Sequence, residues 1–256
     1  ALVRINPPGH ELRKQGWQQL ELASGKSLHT FVDPLHPAEL IEELAWRKQG
    51  EPPEPIPATP TPAVSTLWQW EAAGSPPAAA VCVSLHNYAD RIHTALESVA
   101  RQDLEALELV VVDDASSDNG PALVVQWLEQ HGQRFQRALL LQHQTNGGLA
   151  SARNTAFRHA QAPWCFVLDA DNSLEAMAVS HCLQLAEAAD PETAVIHPLI
   201  SKQQSQDMPT TMHLAHDTLL SALSWQRQQF QQRNPIDAMA LVRRSAWEAV
   251  GGYQHI

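Results

Sequence analysis

From Ala78 onward the chain alternates between two hydrophobic rhythms. Short unbroken apolar runs, AAAVCVSL, LELVVVDD, RALLLQH, WCFVLDAD and TAVIHPLI, read as strands buried on both faces. Between them lie amphipathic stretches: RIHTALESVARQ, PALVVQWLEQHG, LASARNTAFRHA and SLEAMAVSHCLQLAEA. In the first of these, Ile92, Ala95, Leu96 and Val99 recur at helical spacing. Pro121 near the start and Gly132 after the end bracket the second. The strand starts recur about every 30 residues, the length of one βα unit. The pattern predicts an α/β fold with a mostly parallel sheet and helices on both faces.

Two different materials precede it. Residues 1–50 read as a small N-terminal unit of unassigned role. Within it HPAELIEELAWRKQG predicts a helix, with Pro37 in the first turn, basic residues late and Gly50 at the stop. Residues 51–77 are proline-rich (EPPEPIPATPTPAVST) and predict an extended, semi-rigid linker. Trp68 and Trp70 interrupt it, as a segment pinned to a neighbouring surface would require. Residues 78–256 form the main domain.

Composition narrows the function. A net charge of −11 argues against a nucleic-acid partner, because phosphate backbones call for clustered Lys and Arg. A small phosphorylated ligand needs only a local positive site or a metal. No run of about 18 apolar residues is present to span a membrane. Cys82, Cys165 and Cys182 form no C-x-x-C, and an odd count without a framework points to a reducing compartment. The expected location is cytoplasmic, with peripheral attachment to the inner face of a membrane left open.

In an open α/β sheet, ligands bind beyond the carboxyl ends of the strands. Those ends are polar here: SLHNYADR, then Asp113 and Asp114, then HQTNGG, then DAD at 169–171. In an extended chain Asp169 and Asp171 face one side and Ala170 the other. Two carboxylates about 5 Å apart repel by roughly 3 kcal/mol at an effective dielectric of 20. A raised pKa on one of them relieves this, as does a divalent cation such as Mg2+ or Mn2+. Capping of the next helix is the plainer alternative.

The ordered string VSLHNYADRIHTALESVARQ, LELVVVDDASSDN, NGGLASARNTAF and WCFVLDADN resembles the family 2 inverting glycosyltransferases of GT-A fold, over about Val81–Tyr253. The resemblance continues weakly to AMALVRRSAWEAVGGY. It implies transfer of a sugar, with inversion, from a nucleotide-sugar donor, expected to be a UDP-sugar, to an unassigned saccharide, lipid or protein acceptor. It places Ser84, His86 and Asn87 against the nucleotide, with Ser84 and His86 departing from the family's Pro and Tyr. It makes Asp114 the acceptor of the uracil N–H, with Asp113 beside it. It gives Arg153 and Asn154 to the nucleotide or the aspartate motif. It gives Asp169 and Asp171 to the Mn2+ or Mg2+ that bridges the diphosphate, with Asp169 also near the nucleotide.

Inversion needs a general base at the acceptor hydroxyl. The family supplies an acid in an E-D pair shortly after G-G-[YF], and no such pair follows Gly252. Glu248 lies before the double glycine, and nothing in the pattern supports His255. The base is therefore unassigned and expected beyond Ile256. An inactive nucleotide-sugar-binding module stays open as the alternative. A nucleotidyltransferase ranks below it, because SLHNYADR lacks a Gly-rich phosphate loop.

Overall fold

The computed structural model describes residues 61–202, 218–220 and 238–253, and upstream of these the strand segments 4–6, 17–21 and 27–31. The expected helix within 36–50, the stretch 51–60 and His255 lie outside the described residues. In chain order the strands are β1 (Arg4–Asn6), β2 (Trp17–Glu21), β3 (Ser27–Phe31), β4 (Val64–Glu71), β5 (Ala79–Leu85), β6 (Leu107–Asp113), β7 (Arg137–His143), β8 (Trp164–Asp169), β9 (Val195–Ile196), β10 (Ile200–Lys202), β11 (Thr218–Leu220) and β12 (Leu241–Arg243). The helices are α1 (Ile92–Ala100), α2 (Gly120–His131), α3 (Gly148–His159), α4 (Ala178–Ala188) and α5 (Arg244–Ala249).

The chain divides into two units. Ala1–Ile56 and Pro198–Asp237 form one; Pro57–His197 and Ala238–Ile256 form the other. In the first, β1-β2-β3 make an antiparallel sheet, and β10 pairs with β11. Residues 198–237, read from sequence within the main domain, thus group with the N-terminal segment.

The second unit carries a seven-stranded sheet in the order β4-β7-β6-β5-β8-β12-β9. The inner strands β7, β6, β5 and β8 are parallel. Their continuous apolar runs are buried on both faces, as helices above and below a parallel sheet require. One face presents Ala80, Cys82, Val110, Val112, Leu139, Leu141, Cys165 and Val167, alternating along each strand, to Ala152, Ala156 and Phe157 of α3. On the other face the start of α2 meets Leu85. The chain runs outward from β5 to β6 to β7, then returns to the far side of β5 as β8. That reversal leaves a crevice between the carboxyl ends of β5 and β8.

Three elements differ from the sequence reading. Val64–Glu71, inside the stretch read as linker, is the antiparallel edge strand β4 against β7. Its alternation of β-branched and aromatic residues was masked by flanking prolines. Trp68 packs on Gly132, where a side chain would run into the indole. The fifth strand shrinks to β9, which joins the sheet only through antiparallel β12. Pro198, which cannot donate to a ladder, follows soon after. The fourth helix starts at Ala178 rather than near Ser173.

Candidate functional site

A cavity of about 340 Å3 opens at the crevice between β5 and β8. Ser84, His86, Asp114, Asp169 and Asp171 line it, together with Tyr88, Asn146, Gly148 and Leu149. The sheet register explains part of this convergence. Ser84, near the end of β5, pairs directly with Asp169 at the end of β8. Five residues singled out from the sequence therefore meet at one opening.

His86 and Asn87 shape the first wall. The His86 Nδ1–H donates to the carbonyl of Asp114 at 2.9 Å. A carbonyl only accepts, so Nδ1 carries a proton. Asn87 adopts φ 57° and accepts from the Ser117 amide at 2.8 Å. Its own amide donates to Ser116 Oγ at 3.0 Å. Asn tolerates this left-handed conformation because its short side chain bonds locally. Asn87 thus staples the β5 turn to the β6 turn and does not line the cavity.

Asp114 is 3% exposed, and its carboxylate is heavily engaged. Oδ1 accepts from His143 Nδ1 at 2.6 Å and from the Gly147 amide at 2.8 Å. Oδ2 accepts from the Gly148 amide at 2.7 Å. His143 is backed in turn by Thr155 Oγ1, 2.8 Å from Nε2. The double glycine has two separate causes. A side chain at Gly147 would meet Pro62 at 2.8 Å, and Gly148 sits at φ 80°. Both amides reach Asp114 only because the backbone can pass so close. Ala115, immediately after Asp114, is held at φ 55°, a strained setting for a residue with a Cβ.

Asp113 is fully buried and accepts from the Ser116 amide at 3.2 Å and Gln142 Nε2 at 3.0 Å. It organises the turn and does not line the cavity. Asn154 is also buried, and the structure places it elsewhere. Its Oδ1 accepts from the Tyr253 amide at 2.7 Å and Trp247 Nε1 at 3.1 Å, and its Nδ2 donates to the Tyr253 carbonyl at 2.8 Å. This amide clamps the Gly251–Gly252–Tyr253 turn.

Arg153 links that turn to the aspartate motif. Its Nη2 donates to Asp169 Oδ1 at 2.8 Å, and its guanidinium carbon lies 5.7 Å from the Tyr253 ring centroid. Burial pushes the Tyr253 phenol up to about 12, against the opposing effect of the Arg153 charge. Tyr253 is therefore neutral beside the cation over the physiological range. Glu248 pairs with Arg244 at 3.1 Å on α5.

Among the described residues no cluster of three or more His, Cys, Asp or Glu side chains could by itself hold a metal. The donor chemistry at the cavity is nevertheless that of a hard cation. Asp169 has one oxygen fixed by Arg153, and Asp171 is exposed with no described protein partner. Two carboxylates, completed by ligand oxygens and water, match how Mg2+ and Mn2+ are commonly held.

The sequence reading gave no role to Asn146, His143, Ser98 or Gln102. Asn146 and His143 flank the N-G-G turn at the end of β7, a polar strand end like the others. Ser98 and Gln102 lie in S-x-x-x-Q, the first on the apolar face of α1 and the second just past its end. Both are buried.

The chain resembles known proteins over the same stretch. Succinoglycan biosynthesis protein ExoO of Rhizobium meliloti (strain 1021) is 34% identical over 113 residues, 44% of this chain and 31% of that protein. The putative glycosyltransferase EpsH of Bacillus subtilis (strain 168) is 28% identical over 120 residues, 47% of this chain and 33% of that protein. The match thus takes in about a third of the length of either relative. Among solved structures, mannosyltransferase PcManGT from Pyrobaculum calidifontis, in complex with GDP-Man and Mn2+, superposes with a TM-score of 0.51 at 22% identity. The superposition covers 84% of this chain and 54% of that one. The fold is accordingly GT-A. No helix among the described residues is long and apolar enough to cross a membrane. The model of "Glycosyl transferase family 2" matches residues 80–251, and the chain belongs to that family.

Proposed function

We propose that the chain is a metal-dependent, inverting glycosyltransferase that takes a UDP-sugar and transfers the sugar to a hydroxyl of a saccharide, lipid or protein. One observation carries the reading: Ser84, His86, Asp114, Asp169 and Asp171 line a single cavity at the sheet's switch point. In this reading the nucleotide lies along the β5 and β6 ends, with the His86 imidazole against the base. Asp114 has a lone pair left on Oδ2 beyond its three protein donors, enough for one base N–H. The start of α3 lines the same cavity, and its positive pole favours the diphosphate.

Arg153 holds Asp169 through one oxygen and leaves the other for Mn2+ or Mg2+; Asp171 offers a second carboxylate. A bound divalent cation would neutralise charge on the departing diphosphate. A general base is not assigned among the described residues. PcManGT is named with GDP-Man and Mn2+, which supports a nucleoside-diphosphate donor and a metal but leaves the base to be tested.

A thermal-shift panel of UDP and GDP, each with Mn2+ and with EDTA, tests the reading. UDP with Mn2+ at 100 times its dissociation constant should add about 2.7 kcal/mol of stability. A preference for GDP overturns the UDP assignment, and insensitivity to EDTA overturns the metal. Once a donor is found, the anomeric configuration of the product tests inversion.

A further inference from the structure

Between Asp171 and α4 the chain forms no regular structure, yet it is held at three points, with a fourth in the first turn of α4, from α1 and the residue pair just beyond it. The Leu174 amide donates to Ser98 Oγ at 3.0 Å. Gln102 Nε2 donates to the Glu175 carbonyl at 2.8 Å. The Asp103 amide donates to the Ala176 carbonyl at 3.0 Å. The Val179 amide donates to Gln102 Oε1 at 3.0 Å.

The two side chains are built for this. Gln102 is 3% exposed, and its remaining amide hydrogen goes to the Ser98 carbonyl at 3.0 Å. Ser98 is fully buried and donates to the Ala95 carbonyl at 2.6 Å, which aims its lone pair at Leu174. Buried polar groups are costly unless fully paired, and the bonds that complete their pairing go to this loop and the first turn of α4, which fixes the loop's position. The loop itself is largely exposed: Glu175, Ala176 and Met177 face solvent. Its own burial does not hold it.

What the loop carries is Asp171. That carboxylate has no described protein partner, whereas Asp169 is fixed by Arg153 and the β8 ladder. The Asn172 amide bonds back to the Asp169 carbonyl at 3.0 Å and closes a turn around Asp171. Beyond that turn, the first anchor is Ser98. We propose that Ser98 and Gln102 are positioning residues for Asp171, holding its carboxylate where it can share a cation with Asp169. Neither lines the cavity; they act through the loop backbone. The proposal rests on the metal reading above.

Calorimetry with UDP, in Mn2+ and in EDTA, separates the two. In wild type the ratio of the two dissociation constants measures the metal's contribution. Gln102→Met keeps length and removes all three of its bonds; Ser98→Ala removes two, of which one reaches the loop. Residues that orient ligands from outside the metal shell typically contribute 10- to 100-fold in affinity. Gln102→Met should lower the ratio by about tenfold, and Ser98→Ala by less, with the EDTA dissociation constant unchanged. Asp171→Asn should abolish the ratio, and adding Gln102→Met to it should cost nothing further, as a shared pathway demands. A general folding role would weaken both constants together and overturn the proposal. If Gln102→Met does not fold, Ser98→Ala decides, and an unchanged ratio there overturns it. A wild-type protein whose UDP binding ignores Mn2+ overturns the metal reading and this proposal with it.

Discussion

A buried carboxylate stands at each end of β6, Glu108 within its amino end and Asp114 just past its carboxyl end, and the two clamp opposite ends of the same helix. At the amino end, Glu108 Oε2 accepts from the amides of Gln161 and Ala162, just past the end of α3, at 2.8 and 3.0 Å. At the carboxyl end, Asp114 accepts from the amides of Gly147 and Gly148, at the start of α3. Each has one further side-chain partner: Arg137 for Glu108 and His143 for Asp114. The chemistry is nearly the same, but only Asp114 lines the cavity. A buried, heavily bonded acid is thus no sign of a functional site by itself. Position relative to the switch point separates the two, because only the carboxyl edge leaves a crevice.

The comparison breaks most readily at Glu108. Glu108→Ala takes away the most buried partner of a guanidinium that is 13% exposed, which keeps Glu71 and the His159 carbonyl, and leaves two backbone amides unpaired. Removing one partner of a buried pair costs about 3–5 kcal/mol. Urea unfolding should show that loss, while UDP affinity of the folded fraction stays at the wild-type value. A matching fall in UDP affinity would mean that the two ends of α3 are coupled and that the contrast drawn here is wrong.

Asp114→Asn sharpens it from the other side. The amide keeps the shape but turns one acceptor into a donor facing an N–H or the imidazole. Leaving such a buried group unsatisfied costs about 1–3 kcal/mol. This variant should be less destabilised than Glu108→Ala and yet bind UDP more weakly, because the loosened turn carries Asn146 and Gly148 into the cavity wall. Unfolding and calorimetry on the same two variants give opposite rankings if the comparison holds.

The contrast also marks where sequence stops being informative. VCVSL and LELVVVD read as buried parallel strands because a sheet covered on both faces needs no alternation, and their ends located the crevice. Asp169 and Asp171 were legible for the same reason: two acids one residue apart ending an apolar run. The partners of Asp114 were not legible. They come from residues 29 to 34 positions away, brought in by β7 and the turn after it. Asn154 read as a binding residue because it adjoins Arg153 in the motif, but one helical step turns it to the Gly252 turn. β4 was hidden because proline-rich composition describes a segment's neighbours as much as the segment. Ser98 and Gln102 looked like polar interruptions of an apolar face, and only the 174–179 backbone opposite them gives their bonds a purpose.

The smallest expected effect is an absence of one, and it tests whether Asp171 stands apart from the β6 clamps. Cys82, Cys165 and Cys182 are the chain's three cysteines, and all are buried and unoxidised. The Cys82 thiol is pushed well up by its hydrogen bond with Cys165, then by burial, with the Cys165 and Glu108 charges adding to it. Burial alone pushes Cys182 up to about 12. All three sulfurs are buried, so none should react with a thiol reagent at pH 8 until the chain opens. Labelling then reports the opening equilibrium of the sheet. Glu108→Ala should speed it by two to three orders of magnitude, about what 3–5 kcal/mol allows once some of the loss is local. Asp171→Asn should leave it at the wild-type rate, because an exposed carboxylate with no protein partner contributes within about 0.5 kcal/mol to stability. The same variant should remove the Mn2+ dependence of UDP binding entirely. Faster labelling in Asp171→Asn would mean that Asp171 braces the β8 turn, and its place at the cavity would then be structural.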